Sequence, residues 1–186
     1  NYNDIYSALL ISKSLPKNLG TVIVKHANPC GVSINKGKIN SFKSALSCDP
    51  TSAFGGIVSC NFKLDEKTAK EINKIFFEIV LADGFDVKAL KELKKKKNLR
   101  IIDSRSFRIK DFSNFTNNFN NLLTQSTDLK PFNLNNFKVV SKIKPSKKIM
   151  DNLMFAFNVC RFVKSNAIVI TKDFSTVGIG SGQASR

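Results

Sequence analysis

The stretch TVIVKHANPCG, residues 21–31, decides how the fold is read. Thr21, Val22, Ile23 and Val24 are a short β-branched, apolar run following Gly20, which marks a buried strand. At its C-terminal end this strand delivers Lys25, His26, Ala27 and Asn28, and then a Pro29-Cys30-Gly31 turn that fixes the backbone. Working outward, residues 4–14 read as a helix with Ile5, Ala8 and Leu9 on one side, ended by Pro16. Downstream come a helix over 41–47, a Gly55-Gly56 turn into a strand over 57–60, and a helix over 65–76 with Asp65 as its N-cap. A strand over 78–81, a helix over 87–97 with Leu90 and Leu93 inward, and a strand over 99–102 follow. Short apolar strands alternating with helices of about three turns predict an α/β fold, with a mixed, largely parallel sheet flanked by helices.

The alternation breaks over residues 111–136, which hold eight Asn and few apolar repeats. These residues read as an irregular connection carrying a short hairpin or helix. Order returns with a strand over 137–143 and a helix over 146–164. On that helix Ile149, Leu153, Ala156, Cys160 and Val163 fall on one face. Two strands, 167–170 and 176–180, end in a Gly-rich turn. Both halves repeat the order helix, buried strand, polar residues and Gly-rich turn. The expected organisation is therefore a first lobe over 1–110, the connection over 111–136, and the start of a second lobe over 137–186. There is no initiator Met, and the chain stops directly after the Gly-rich turn, so we expect a piece of a longer protein.

Composition narrows the function. With 186 residues, 42% of them hydrophobic, the chain can build a core. No apolar run approaches the ~20 residues of a spanning helix, and no secretory signal leads the chain, so no membrane partner is expected. The net charge of +16 raises a nucleic-acid reading. However, 25 of the 30 basic residues are Lys and 20 residues are Asn, a bias that A/T-rich coding produces. The charge is scattered, with one solid run at Lys94-Lys95-Lys96-Lys97, and no nucleic-acid motif accompanies it. A solvated Lys-rich surface is the better reading, so no specific nucleic-acid partner is expected. Cys30, Cys48, Cys60 and Cys160 match no zinc or redox spacing and read as reduced thiols.

Four stretches could carry chemistry. In KHANPCG, residues 25–31, His26 is the one histidine of the chain and stands beside Lys25 at a strand end. Ligands of α/β sheets usually bind at the carboxyl ends of strands, and histidine is the side chain best suited to move a proton near neutral pH. From spacing alone, a lone His-Lys at a strand end is more often a surface or structural pair. The same stretch resembles the zinc-deaminase signature, but Asn28 occupies the position of the acid-base Glu and no second Cys follows Cys30 at the required spacing. One His and one Cys are too few for a catalytic zinc, so no metal is expected. DPTSAFGG, residues 49–56, offers paired glycines for close ligand approach, or a plain turn. In VKSNAIV, residues 163–169, Asn166 could orient a substrate or cap a helix end. GIGSGQASR, residues 178–186, could cradle a phosphate.

In this order the four stretches resemble the AICAR transformylase domain of the bifunctional purine-biosynthesis family, as do LRIID at 99–103 and FKVVSKIKPS at 137–146. The resemblance implies two α/β lobes of cytidine-deaminase-like type in a cytoplasmic homodimer, with the site near the subunit interface. It implies formyl transfer from the co-substrate 10-formyltetrahydrofolate to the 5-amino group of AICAR, and an IMP cyclohydrolase domain elsewhere in the parent protein. By residue, it implies His26 as base, Lys25 as electrostatic and proton-donating group, and Asn166 as the positioning asparagine. Gly55, Glu78 and Arg186 are implied as nucleotide contacts, while Ala184 departs from the longer side chain usual there. Weak or no activity is expected of the isolated chain. A basic nucleic-acid module and a catalytically dead homologue are the competing readings, and intact Lys25, His26 and Asn166 argue against the second.

Overall fold

The computed structural model describes residues 1–108, 113–126, 128 and 137–185. Two compact units form, one from Asn1–Ser106 together with Pro145–Arg186, the other from Phe107–Lys144. Residues from Pro145 onward thus share the sheet of the first unit rather than standing apart from it.

The first unit opens with α1 (Tyr2–Ser14) and the hairpin β1 (Gly20–Lys25) and β2 (Asn28–Ile34). There follow α2 (Lys38–Leu46), α3 (Pro50–Ala53), β3 (Ile57–Cys60), α4 (Glu66–Asn73), β4 (Ile79–Ala82), α5 (Val87–Leu93) and β5 (Arg100–Asp103). Asp65 caps α4 as expected, its carboxylate accepting from the Thr68 N–H at 2.9 Å. The second unit contributes an antiparallel hairpin, β6 (Ser113–Asn118) and β7 (Asn121–Ser126), inside the connection where a short hairpin or helix was expected. The chain returns to the first unit with α6 (Lys147–Cys160), β8 (Ile168–Lys172) and β9 (Ser175–Gly180).

The seven strands of the first unit lie in the order β5-β4-β3-β1-β2-β9-β8. The sheet is mixed and flanked by helices, as the α/β reading requires. Its parallel pairs are β3 with β4 and β4 with β5, where strands and helices alternate in the sequence. The β1–β2, β1–β3, β2–β9 and β8–β9 pairs are antiparallel.

Side chains alternate across the central strands with the period of two that a pleated strand imposes. Val22 and Val24 of β1, Ile57 of β3, and Ile79 and Leu81 of β4 pack with Ala8, Leu9 and Ile11 of α1 and with Phe155 and Val159 of α6. Ile23, Val58 and Val80 point the other way, into a cluster with Phe42, Ile72, Phe77 and Leu93 of the opposite layer. The result is a helix–sheet–helix sandwich with β1 fully enclosed at its centre.

Three local expectations are corrected. Pro29-Cys30-Gly31 is not a turn but part of β2, and the reversal comes earlier, at His26-Ala27. The β1–β2 register shifts between Ile23 and Val24, and this irregularity takes in Pro29, which cannot donate to a regular ladder. No strand forms over 137–143: Val140 is 94% and Ile143 85% exposed, and an apolar run becomes a strand only where a neighbouring ladder receives it. On α6 the buried residues are Phe155 and Val159, whereas Ile149 and Leu153 are half exposed. The helix carries two adjacent apolar stripes, and periodicity alone does not say which one meets the sheet.

Gly31 sits beneath α2. A Cβ there would stand 1.8 Å from the Ala45 carbonyl oxygen and 2.8 Å from its carbon, so only glycine lets this helix lie on β2. Both obstructing atoms are backbone. We therefore expect Gly31→Ala to cost at least about 2 kcal/mol of stability. The check is a urea titration, and an unchanged midpoint would overturn this account of the close approach.

Candidate active site

All the candidate residues that the structure describes lie along one edge of the sheet. The end of β1 aligns with the start of β3, Val24 opposite Ile57. Ile57 aligns with Ile79 at the start of β4, and Ile79 with Arg100 at the start of β5. On the other side, Ser33 late in β2 pairs with Ser175 early in β9, so the Asn28 end of β2 runs toward the Gly180 end of β9, and Gly180 pairs with Ile168. The edge carrying Lys25 and His26 is thus formed by the amino ends of the parallel strands. The carboxyl-end rule anticipated there does not apply, because β1 runs antiparallel to β3. Turns and glycine loops build this edge instead.

The central element is the two-residue turn joining β1 to β2. Lys25 pairs with Asn28, and between them His26 and Ala27 have φ of 53° and 59°. Tight hairpins favour this left-handed pair because it matches strand twist, usually with Asn or Gly in the turn. Side chains with a Cβ cost roughly 1–2 kcal/mol each in this conformation. The turn is held from α1, where the Asp4 carboxylate accepts from the His26 N–H at 2.9 Å and from the Ala27 N–H at 2.8 Å. From the far side, the Asn28 side-chain amide donates to the His26 carbonyl at 3.1 Å. The His26 side chain stands at an exposed position, projected from a fixed backbone.

Lys25 reaches the second motif, its ammonium donating to the Phe54 carbonyl at 2.8 Å. That loop is pinned as well. Gly55 has φ +75° and donates its N–H to the Phe76 carbonyl at 2.8 Å. Next to it, a Cβ on Gly56 would stand 2.8 Å from the Val24 carbonyl oxygen. The Gly56 carbonyl accepts from the Glu78 N–H at 3.0 Å, which places Glu78 beside Gly55. The Glu78 carboxylate accepts from the Asn1 side-chain amide at 2.8 Å. The first turn of α1 and the residue preceding it therefore touch both the His26 turn and Glu78.

The third and fourth motifs join through Asn28, whose side-chain oxygen accepts from the Lys164 N–H at 3.2 Å. Two residues on, the Asn166 side-chain amide donates to the Gln183 carbonyl and the Asn166 carbonyl accepts from the Gln183 N–H, both at 3.1 Å. The structure thus brings Lys25, His26, Gly55 and Glu78 to one edge and ties the Asn166 loop to it. Arg186 lies outside the described residues. An open cavity of about 920 Å³ is lined by Asn166, Ile168, Gly180 and Gln183 among others. Neither Lys25 nor His26 lines it, so it adjoins the candidate centre without being that centre. Sequence reasoning missed Asp4, because an acidic residue in a first helical turn looks like an ordinary dipole partner.

Electrostatics makes Cys30 and Cys60 poor nucleophiles. Burial, aided by the nearby Asp49 carboxylate, pushes the Cys30 thiol up to about 11, and burial pushes Cys60 up to about 12. Hydrogen bonds from Ser52 hold the Asp49 carboxyl below its usual range. Among the described residues, no group of three or more His, Cys, Asp or Glu side chains could hold a metal ion. Among them, too, no helix is long and apolar enough to cross a membrane.

A His-Lys turn, a glycine loop and an asparagine loop thus meet on one edge of a mixed α/β sheet. The chain matches the family described as the AICARFT/IMPCHase bienzyme over residues 1–186 and belongs to that family. It is 49% identical over 165 residues to a protein of Clostridium kluyveri named bifunctional purine biosynthesis protein PurH, covering 89% of this chain and 32% of that protein. Proteins of the same name from Thermoanaerobacter sp. and Aquifex aeolicus are 45% and 41% identical, each match covering all of this chain and 36% of the relative. The chain thus spans about a third of the length of the curated relatives it matches.

A thiol shifted from 9.0 to about 11 is ionised roughly a hundredfold less near neutral pH. We expect iodoacetamide at pH 7.5 to label Cys30 at about a hundredth of the rate of free cysteine, read by peptide mass spectrometry. Labelling at the free rate would overturn this account of Cys30.

Proposed function

We propose that this chain carries the proton-transfer groups of a formyl transfer from 10-formyltetrahydrofolate to the 5-amino group of AICAR, a step of purine biosynthesis. The observation that carries the reading is the His26 turn, with Lys25 beside it and the Asn166 loop tied to it through Asn28 and Lys164. Family membership and the name shared by the relatives support the choice of reaction.

The amine of AICAR is a poor nucleophile because its lone pair is delocalised into the ring and carboxamide. As its nitrogen attacks the formyl carbon, the His26 imidazole takes the proton that the amine must lose. The carbonyl oxygen gains negative charge, which the Lys25 ammonium stabilises. Collapse breaks the bond to the folate N10, and a proton from Lys25 goes to that departing nitrogen. The products are the formylated nucleotide and tetrahydrofolate. Asn166 orients the reacting groups, Gly55 lets the nucleotide approach the backbone, and Glu78 and Arg186 are nucleotide contacts. The proposal extends to cytidine-deaminase-like lobes, a cytoplasmic homodimer and a cyclohydrolase activity elsewhere in the intact protein.

The test is AICAR-dependent loss of the formyl group from 10-formyltetrahydrofolate by the intact protein, beside His26→Ala. We expect the substitution to slow turnover by about 10²–10⁴-fold without unfolding the protein. Undiminished turnover would remove His26 as base, and a folded but inactive parent protein would overturn the reaction itself.

A further inference from the structure

The His26 turn sets a physical problem that the sequence around it does not solve. Two consecutive residues with Cβ atoms hold φ of 53° and 59°, in a turn type that favours Asn-Gly. Both of their N–H groups point at one carboxylate. Asp4 takes one on each oxygen, at 2.9 and 2.8 Å. A charged acceptor makes such hydrogen bonds stronger than neutral ones. The carboxylate is itself rigidly delivered, because α1 is anchored to the sheet by Ala8, Leu9 and Ile11, which are all but inaccessible to solvent. An acidic group in the first turn of a helix is also favoured by the helix dipole.

We propose that Asp4 is a positioning residue for the His26 base, clamping the left-handed turn so that the imidazole is presented in one orientation. This inference rests on the proposed role of His26. Asp4 acts through the backbone and does not touch the reacting atoms. Without it the turn keeps its strand pairing but loses its two acceptors, and the Cβ strain at His26 and Ala27 then relaxes the backbone away from the working geometry. Small displacements of a catalytic group cost rate more than binding.

The experiment uses the intact protein with Asp4→Ala, Asp4→Asn and the double variant Asp4→Ala/Ala27→Gly. Asp4→Ala should lower kcat for formyl transfer by about ten- to a hundredfold. KM for the nucleotide should stay within about threefold, the pattern of a lost transition-state interaction. Asp4→Asn retains a single oxygen acceptor and should fall between Asp4→Ala and the parent. Glycine at Ala27 removes the steric cost of the left-handed conformation, so the double variant should recover most of the lost kcat. A merely structural role in anchoring α1 would not be rescued from position 27. Hydrogen exchange of the peptide spanning residues 22–30 provides a readout independent of turnover, with protection lost in Asp4→Ala.

Parental kcat in Asp4→Ala, or a loss that Ala27→Gly fails to recover, would overturn the clamp. If the parent protein has no formyl-transfer activity, the reaction proposed above fails, and hydrogen exchange then decides the clamp separately. Protection at 26–27 that depends on Asp4 supports it, and protection indifferent to Asp4 refutes it.

Discussion

Everything at the site depends on the antiparallel pairing of β1 with its neighbours on both sides. Val22, Ile23 and Val24 are wholly inaccessible to solvent, enclosed by α1 and α6 on one face and α2 on the other. A strand so enclosed has one register, because a slip of one residue would exchange its two apolar faces. Its end is therefore a fixed point, and Lys25 and His26 are the first residues beyond the enclosed section. The same pairing places the Gly55-Gly56 loop on one side of that point and the Asn28–Lys164 contact on the other. A flexible loop bearing the same side chains would have to order them on every substrate encounter, at a cost in conformational entropy.

The glycines show how backbone proximity does work that side chains cannot. Gly31 admits the α2 carbonyl of Ala45, and Gly56 admits the Val24 carbonyl. Between them they draw a helix and a loop onto the hairpin from two directions. The hydroxyl contacts of Ser41 with Thr21 and of Ser33 with Ser175 serve the same close packing while satisfying buried polar groups. The hairpin is thus held by its environment rather than by its own turn residues.

Much of the fold was legible because the informative segments are local. The run at 21–24 is buried throughout, the helix at 4–14 buries Ala8 and Leu9, and strands alternate with helices from 57 to 103. What was not legible depends on partners distant in sequence. The direction of β1 against β3 is a tertiary fact, and with it the edge of the sheet that receives the site. Pro29-Cys30-Gly31 has turn composition, yet each residue is there for packing, with Pro29 at a register shift and Gly31 under a helix. The stretch at 137–143 has strand composition, yet it pairs with no strand among the described residues. The site divides in the same way: Lys25, His26, Gly55 and Asn166 stand out by motif, whereas Asp4 is informative only once α1 is folded against the turn.

That division bears on how the site is built. The candidate residues occupy turns and loops, and the residues that hold them come from the rigid layers behind. Asn28 shows why neither group suffices alone. Its amide fixes the His26 carbonyl while its oxygen receives the Lys164 N–H, so one side chain sets the His26 turn and the Asn166 loop in a common frame. An acidic side chain at this position would lose the donor to His26, and an apolar one would lose both contacts and leave the two motifs on independent hinges. A glutamate suited to zinc-assisted deamination would fail the first of these tasks, because a carboxylate offers no donor to the turn. The asparagine that departs from the deaminase signature in KHANPCG is therefore the residue that ties the hairpin to the Asn166 loop.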